Sequence, residues 1–518
     1  MIAHGTGWNR FHQCDPVIVS SPNVNVCLVG SWTSSAVLDI GEGQVLHCGD
    51  EDKANPATLH TLRHLSSQRI LQLSCGFSHV LCVTAAGSMF AWGNGQHGKL
   101  GLGHMKPVSE PTQVTSIRSS IAAESIPAPS FRSVAAGEHH SLLLASDGSV
   151  FSCGLSRDGI LGLSELRDSL PVSASASTTK KRKHHDSSDD VKVTQPRRPT
   201  LVLVAPKFST QAMAPTSQSS SSQEEERIPL ALQDVHSDIP ARKDAVVLTP
   251  TFVQFPKDQT HSSATIACGS CHSVSTSTDG SVWTWGLGLF GALGHGDADT
   301  VWSPRRVEIL HDMQLAIRKA ACGTSHTVVL TSSGEVYGWG MNSGGQVGVG
   351  STDAAEANLE LQPASSLLSS PSSSCQSLSA SSVATGPSVS KRIVHTPELV
   401  EFPSGDSTES VDADVNVTDV ACGSQHSVAL TDSGTVFAWG WNEHGQVQPC
   451  SKCHQFVASH RIAPIDQSSP IDQSIEAKSL QCVHSTVIAR PTLMRWIDGP
   501  VKAIACGRWH SLIATMVP

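Results

Sequence analysis

Short apolar runs of strand length alternate with Gly-centred turns along this chain, and the alternation repeats. Behind His79, His140, His272, His326 and His426 comes a brief apolar run, then a turn pair: Ala86-Gly87, Asp147-Gly148, Asp279-Gly280, Ser333-Gly334 and Ser433-Gly434. A second apolar run follows each turn and ends in Trp92-Gly93, Cys153-Gly154, Trp285-Gly286, Trp339-Gly340 or Trp439-Gly440. Two β-type runs joined by Asp-Gly or a similar pair predict a hairpin, because glycine takes the positive φ that such a turn demands. A further strand is announced by a proline ahead of a short β run, at Pro111, Pro250, Pro304, Pro397 and Pro491. Another run precedes each Cys-Gly pair, as in Val415–Val420. About four strands per unit predict an all-β chain of repeated antiparallel sheets.

The units share one phrase. It reads Cys75-Gly76-Phe77-Ser78-His79, Ala136-Gly137-Glu138-His139-His140 and Cys268-Gly269-Ser270-Cys271-His272. It continues as Cys322-Gly323-Thr324-Ser325-His326, Cys422-Gly423-Ser424-Gln425-His426 and Cys506-Gly507-Arg508-Trp509-His510. A degenerate seventh copy, Gly30-Ser31-Trp32-Thr33, has Glu42-Gly43 as its turn and Cys48-Gly49 in place of Trp-Gly. Stacked units bury the apolar faces that none buries alone. Seven of them predict a seven-bladed β-propeller. The last copy stops without its Trp-Gly strand, while Gly7-Trp8-Asn9 parallels Gly440-Trp441-Asn442. The first and last segments are therefore expected to share the closing blade, which leaves few free sheet edges.

The order Cys-Gly-x-x-His, Asp/Ser-Gly-x-Val, Trp-Gly-x-Asn, Gly-Gln-x-Gly resembles the repeat of the regulator-of-chromosome-condensation family. Gly95-Gln96-His97-Gly98, Gly345-Gln346-Val347-Gly348 and the stretch from Trp439 to Gln446 carry it most clearly. The resemblance covers all seven units and leaves out only the insertions. A WD-type propeller would show Trp-Asp dipeptides, which do not occur, and kelch blades a Gly-Gly pair each, of which only Gly344-Gly345 is present.

Gly30 to Gly76 spans about 46 residues, but Gly137 to Gly269 spans about 132, and Gly323 to Gly423 and Gly423 to Gly507 about 100 and about 84. The excess falls between the Trp-Gly strand and the proline-led strand, in segments 164–248, 351–396 and 447–489. The first two are Ser-rich, hold too few large apolar residues for a core, and are expected to be disordered. Alternate connections of an antiparallel meander emerge on alternate faces. The Cys-Gly-x-x-His loops and the insertions are thus predicted to share a face, opposite the Asp-Gly turns. That face would carry Trp32, Phe77, Glu138, His139, Arg508 and Trp509, and it is the expected site for a protein partner, since loops carry function. The chain itself is expected to be a monomer.

A histidine repeated once per unit is architecture. His79, His140, His272, His326, His426 and His510 are expected to tie the strand start to neighbouring backbone, and Cys75, Cys268, Cys322, Cys422 and Cys506 to be small buried residues. Cys450-x-x-Cys453-His454, with His460, Cys482 and His484 downstream, has the composition of a zinc site, but its irregular spacing reads more simply as loop residues. Lys180-Lys181-Arg182-Lys183, followed by Arg197-Arg198, reads as a nuclear-import address or as a solvated charge run. Ser187 and Ser188, among Asp186, Asp189 and Asp190, would make that loop tunable by phosphorylation.

Composition narrows the function. A net charge of −10 argues against a nucleic-acid binder, whose affinity rests on Lys and Arg against phosphates. No run of about 18 apolar residues is present to span a bilayer, and Met1-Ile2-Ala3-His4 does not open a secretory leader. Fifteen cysteines in a leaderless chain are expected to be reduced thiols, in the nucleus or the cytoplasm. No phosphate loop, nucleophile triad or carboxylate pair rises above the repeat, so no catalytic residue is assigned and no cofactor is expected. The chain reads as a protein-binding scaffold or regulatory subunit. The resemblance implies an alternative, guanine-nucleotide exchange on a Ran-like small GTPase. Arg157-Asp158-Gly159-Ile160-Leu161-Gly162 looks like the exchange factors' segment in which an acidic residue faces the GTPase, which gives that role to Asp158, with His139 nearby. Against it, the segment that follows is a long Ser-rich insertion where exchange factors place a compact wedge, and the basic N-terminal tail that chromatin-bound members use is not expected, since Gly7 to Gln13 already reads as blade.

Overall fold

The computed structural model describes residues 2–7, 17–18, 26–30, 35–39, 44–48, 60–61, 65, 68–169, 245–257, 261–350, 393–403, 415–448, 487–495, 497 and 499–515. Contacts divide the chain into one unit of Met1–Arg167 with Val246–Pro518 and a second, Asp168–Ala245, nearly all of which lies outside the described residues. Among the described residues, no helix is long and apolar enough to cross a membrane.

The described strands pair into seven sheets. Sheet 1 holds Val26–Gly30, Ser35–Asp39, Gln44–Cys48 and His60–Thr61, and sheet 2 holds Ile70–Cys75, His79–Thr84, Met89–Gly93 and Val108–Gln113. Sheet 3 is built on Phe131–Ala136, His140–Ala145, Val150–Ser156 and Ala245–Phe252. Sheet 4 holds Ser263–Cys268, His272–Ser277, Val282–Gly286 and Val301–Arg306, and sheet 5 holds Ile317–Cys322, His326–Thr331, Val336–Met341 and Ile393–Leu399. Sheet 6 holds Val417–Cys422, His426–Thr431, Val436–Trp441 and Val487–Leu493. Sheet 7 joins Val501–Cys506 and His510–Thr515 to Ile2–Gly7 and Val17–Ile18.

The innermost strands touch in order, 26–30 to 70–75 to 131–136 to 263–268 to 317–322 to 417–422 to 501–506, and the last touches the first. A closed circuit of antiparallel sheets is a β-propeller. Its closure uses both chain ends, since Ile2–Gly7 pairs along its length with His510–Thr515. Gly7 lies opposite His510 just as Gly440 lies opposite His426. Trp8 lies outside the described residues.

The second strand of sheets 2 to 7 is buried from end to end. Neighbouring sheets cover both of its faces, so its residues are apolar in succession and not only at every other position. Sheet 4 departs from the expected apolar run, because His272–Ser277 reads His-Ser-Val-Ser-Thr-Ser. Its hydroxyls stay buried because they are partnered. Ser275 donates to Ser263 at 2.8 Å, Thr276 and Thr265 share a bond of 2.7 Å, and Ser273 reaches the Ile160 carbonyl at 2.7 Å.

The prolines do not precede the outer strands; they sit inside them. These strands begin earlier, at Val108, Ala245, Val301, Ile393 and Val487. In sheets 2, 4, 5 and 6 the register shifts at the proline. A residue without an amide proton is tolerated on an outer strand at such a bulge. The three insertions are shorter than 164–248, 351–396 and 447–489 for the same reason. Glu165–Ser169 is a short helix, residues 245–248, 393–396 and 487–489 belong to strands, and Val447 is buried. The stretches 170–244, 351–392 and 449–486 lie outside the described residues. Sheet 3 also gains a hairpin that the repeat does not announce, Ser116–Arg118 with Ser125–Pro127, attached by a single pairing of Arg118 with Thr251.

Candidate functional site

Each Cys-Gly-x-x-His loop links a first strand to a second in a tight turn. The glycine N–H donates to the histidine carbonyl at 2.9 Å in Gly76/His79, Gly137/His140, Gly269/His272, Gly323/His326, Gly423/His426 and Gly507/His510. A Cβ on Gly323 would stand 2.0 Å from the His326 ring and 2.6 Å from the Gly423 carbonyl of the next sheet. Its own histidine and its neighbour's backbone together exclude a side chain.

The histidines join one sheet to the next. In five of the six loops a hydroxyl follows the histidine and donates to a turn carbonyl of the preceding sheet: Ser141 to Lys99, Ser273 to Ile160, Thr327 to Ala292, Ser427 to Gln346 and Ser511 to Gln446, at 2.7 to 2.9 Å; Val80 stands there after His79. With that proton committed, the oxygen accepts from the preceding sheet's imidazole Nε2–H. His79 donates to Ser141 at 2.8 Å, His140 to Ser273 at 2.9 Å, His272 to Thr327 at 2.9 Å and His326 to Ser427 at 3.0 Å. Trp285, Trp339 and Trp439 add their indole N–H to the Ile160, Ala292 and Gln346 carbonyls at 3.0, 2.8 and 3.0 Å. The expected tie to backbone therefore runs through a hydroxyl. Burial drives His140, His326 and His510 down to about 3 and His272 and His426 to about 4, so these rings are neutral. The five loop cysteines are half-buried, not buried, and line the mouth of the central channel. Burial pushes the Cys422 thiol up to about 12, so it serves as a neutral packing group.

On this frame the two positions between glycine and histidine vary from loop to loop, and Ala136 alone of the six replaces the cysteine. Sheets 4, 5 and 6 place Ser270-Cys271, Thr324-Ser325 and Ser424-Gln425 there, and sheets 2, 3 and 7 place Phe77-Ser78, Glu138-His139 and Arg508-Trp509. The Arg508 guanidinium lies 5.3 Å from the Phe77 ring centroid and 5.4 Å from that of Trp509, within cation–π range. The Glu138 carboxylate stands 3.9 Å from Arg508 and 3.7 Å from His139. Trp509 packs edge-on against Trp441 at 4.9 Å, and His139 against His97 at 5.3 Å. The buried Lys99 ammonium donates to Ser78 Oγ at 2.8 Å and to the Glu138 carbonyl at 3.3 Å. Burial lowers Lys99 to about 8, with Glu138 opposing the shift. Burial also lowers His139; Glu138 opposes it, while Lys99, His97 and Arg157 reinforce it.

Phe77, Glu138, His139, Arg508 and Trp509 are thus brought into one connected group at the channel mouth. Asp158 lies in the turn that follows Val150–Ser156, in a left-handed position at φ 51° and 3.7 Å from Arg157. Trp32, the basic run Lys180, Lys181, Arg182 and Lys183, and the zinc candidates Cys450, Cys453 and His454 lie outside the described residues. Among the described residues, no group of three or more His, Cys, Asp or Glu is placed to hold a metal. Sequence reasoning passed over Lys99, His97 and Trp441. Lys99 carried a signal, since it stands one residue after its turn glycine, where the same turn has Gln346 and Gln446.

Two models of the regulator of chromosome condensation repeat match the chain, one at 70–99, 131–160, 317–346 and 417–446, the other at 86–144, 279–330 and 333–430. The chain is 27% identical over 405 residues to the ultraviolet-B receptor UVR8 of Arabidopsis thaliana, covering 78% of this chain and 60% of that protein. It is 25% identical over 470 residues to the E3 ubiquitin-protein ligase HERC2 of Homo sapiens, covering 88% of this chain and 7% of that protein. It therefore spans less than two thirds of either relative. Among solved structures it is similar to Prp20p from Saccharomyces cerevisiae, described with its binding properties to Gsp1p and histones, at a TM-score of 0.56 and 16% identity over 100% of this chain and 92% of that one. Human WBSCR16 gives a TM-score of 0.55 at 16% identity over 97% and 90%. At that identity the likeness is one of fold.

Proposed function

We propose, from the premise that this chain belongs to the regulator of chromosome condensation repeat family, that it is a protein-binding scaffold or regulatory subunit. Its partner is held on the face that carries the Cys-Gly-x-x-His loops and the insertions. One observation carries this reading: on a frame repeated sheet after sheet, the large charged and aromatic groups gather on one side of the channel mouth, at Phe77, Glu138, His139, Arg508 and Trp509. Framework does not require them, since sheets 4 to 6 keep the same loop with small residues. Partially exposed Trp and Arg at the centre of a face are the residue types that dominate binding energy in protein interfaces.

Proteins captured by the intact chain should be lost from the Arg508→Ala/Trp509→Ala variant and retained by Ser270→Ala/Thr324→Ala. Equal capture by both variants would remove the reading. A chain lacking the three insertions shows separately whether they take part.

Asp158 favours a second reading, exchange of guanine nucleotide on a Ran-like GTPase. What supports it is that the Asp158 and Glu138 carboxylates both add to the rise that burial imposes on the Cys271 thiol. Family members include Ran exchange factors. Nucleotide release from Ran, accelerated by the chain and not by Asp158→Ala, supports it; no acceleration at micromolar protein removes it. Lys180 to Lys183 would serve either reading as a nuclear-import address.

A further inference from the structure

The Glu138 carboxylate is placed as an occupant is placed, not as a fixed structural partner. It sits between Arg508 at 3.9 Å and His139 at 3.7 Å, both beyond the reach of a hydrogen bond. A structural Arg–carboxylate pair closes to about 2.8 Å, with two parallel N–H···O bonds. The guanidinium is itself well positioned. It is four-fifths covered, with side-chain exposure of 20%, and held against the Phe77 and Trp509 rings. Beneath it the buried Lys99 ammonium fixes Ser78 and the Glu138 backbone, so the loop is held while the Glu138 side chain is held loosely.

Charge and room agree. Among the described residues of this cluster Lys99, Arg157 and Arg508 outnumber Glu138 and Asp158, in a chain of net charge −10. Across the mouth the described residues Ser270, Thr324 and Ser424 are small. An overall negative chain repels acidic peptides at long range, so any that bind must be recognised locally.

We propose that the channel mouth receives a carboxylate: an acidic segment of a protein partner sets an Asp or Glu side chain against Arg508, between Phe77 and Trp509, in the place that Glu138 holds in the free chain. This rests on the reading of that face as a protein-binding site and names the chemistry it selects. Glu138 then acts as an internal competitor, and binding requires it to swing aside.

The test uses the full chain and a fluorescent peptide of alternating Glu and Gly, with the Gln-for-Glu peptide as control, read by anisotropy. The Glu peptide should bind and the Gln peptide should not. Glu138→Gln removes the competitor and should tighten binding several-fold, and Arg508→Gln should weaken it by roughly tenfold or more, the usual loss for a charge-assisted hydrogen bond. A misfolded variant cannot bind more tightly, so the gain in Glu138→Gln guards against trivial loss. Equal binding of the two peptides, no binding of the Glu peptide at submillimolar protein, or an unchanged or weakened Glu138→Gln overturns the proposal. If any of these occurs while Arg508→Ala/Trp509→Ala still loses its captured partner, the carboxylate assignment falls and the protein-binding face stands. If partner capture is also unchanged, both fall.

Discussion

Between glycine and histidine, sheets 4, 5 and 6 put Ser270, Thr324 and Ser424 at the channel mouth, while sheets 2, 3 and 7 put Phe77, Glu138 and Arg508 there. The small residues spend their hydrogen bonds on the ring itself. Thr324 donates its N–H to the Ser424 carbonyl at 3.1 Å, its hydroxyl to Ser424 Oγ at 3.1 Å, and Ser424 donates its N–H to the Arg508 carbonyl at 3.0 Å. The large ones reach across sheets to each other through charge and ring contacts, with side chains left partly in solvent. One arc completes the frame, and the other is decoration that the frame supports. The two are separable because the glycine and histidine beneath them are the same.

The largest test attacks what the arcs share. The folded-state pKa of His140, His272, His326, His426 and His510 lies at about 3 to 4, below the ordinary 6.5, because burial disfavours the charged ring. The unfolded chain binds protons that the native chain refuses, so this stability is present above about pH 6.5 and is lost as pH falls toward the folded values. By pH 5 each ring costs about 2 kcal/mol, roughly 10 kcal/mol for the five, and denaturant melts should collapse between pH 6.5 and 4 in one transition. A transition that splits into separate steps would mean that the arcs do not rest on a common frame.

Gly323→Ala, in the undecorated arc, should cost about 3 kcal/mol, since its Cβ meets a backbone carbonyl at 2.6 Å that cannot step aside. A melt within error of wild type would show that the ring is slack. Arg508→Ala should weaken partner binding by about 2 kcal/mol and leave the melt nearly unchanged, the reverse of Gly323→Ala. If the two measurements move together, decoration and frame are not distinct. Trp339→Phe removes the indole bond to the Ala292 carbonyl and should cost about 1 kcal/mol in stability alone. Ser270→Ala should fall within about 0.5 kcal/mol in stability and leave capture intact; a larger loss of capture would enlarge the site to the small arc.

Much of this was legible in the chain. Strand pairs, their Gly turns and the sharing of one sheet by the two ends follow from the repeated phrase. The position of the prolines was not, because Pro304 and Pro397 look the same in sequence whether they open a strand or bulge it. The hydroxyl-rich strand of sheet 4 was also hidden, since only its partners Ser263, Thr265 and the Ile160 carbonyl make it suitable for burial. Of the channel-mouth group, Phe77, Glu138, His139, Arg508 and Trp509 could be read as the places where the phrase varies. Lys99 stood out from its turn, but neither it nor His97 could be assigned to the group, because they come from a turn of sheet 2 and reach Glu138 and His139 of sheet 3 only in the folded chain.

The repeat by itself determined which residues are frame, because sheets 3 to 7 offer their neighbours the same glycine, histidine and hydroxyl, and similar interfaces follow one another where they do. It also marked the variable positions. Only the tertiary structure decided which of those positions meet. Arg508 lies far from Phe77 and Glu138 in the chain, and closure of the circuit is what sets its guanidinium within 5.3 Å of one and 3.9 Å of the other. Spacing along a sequence carries no information about contacts made across a ring.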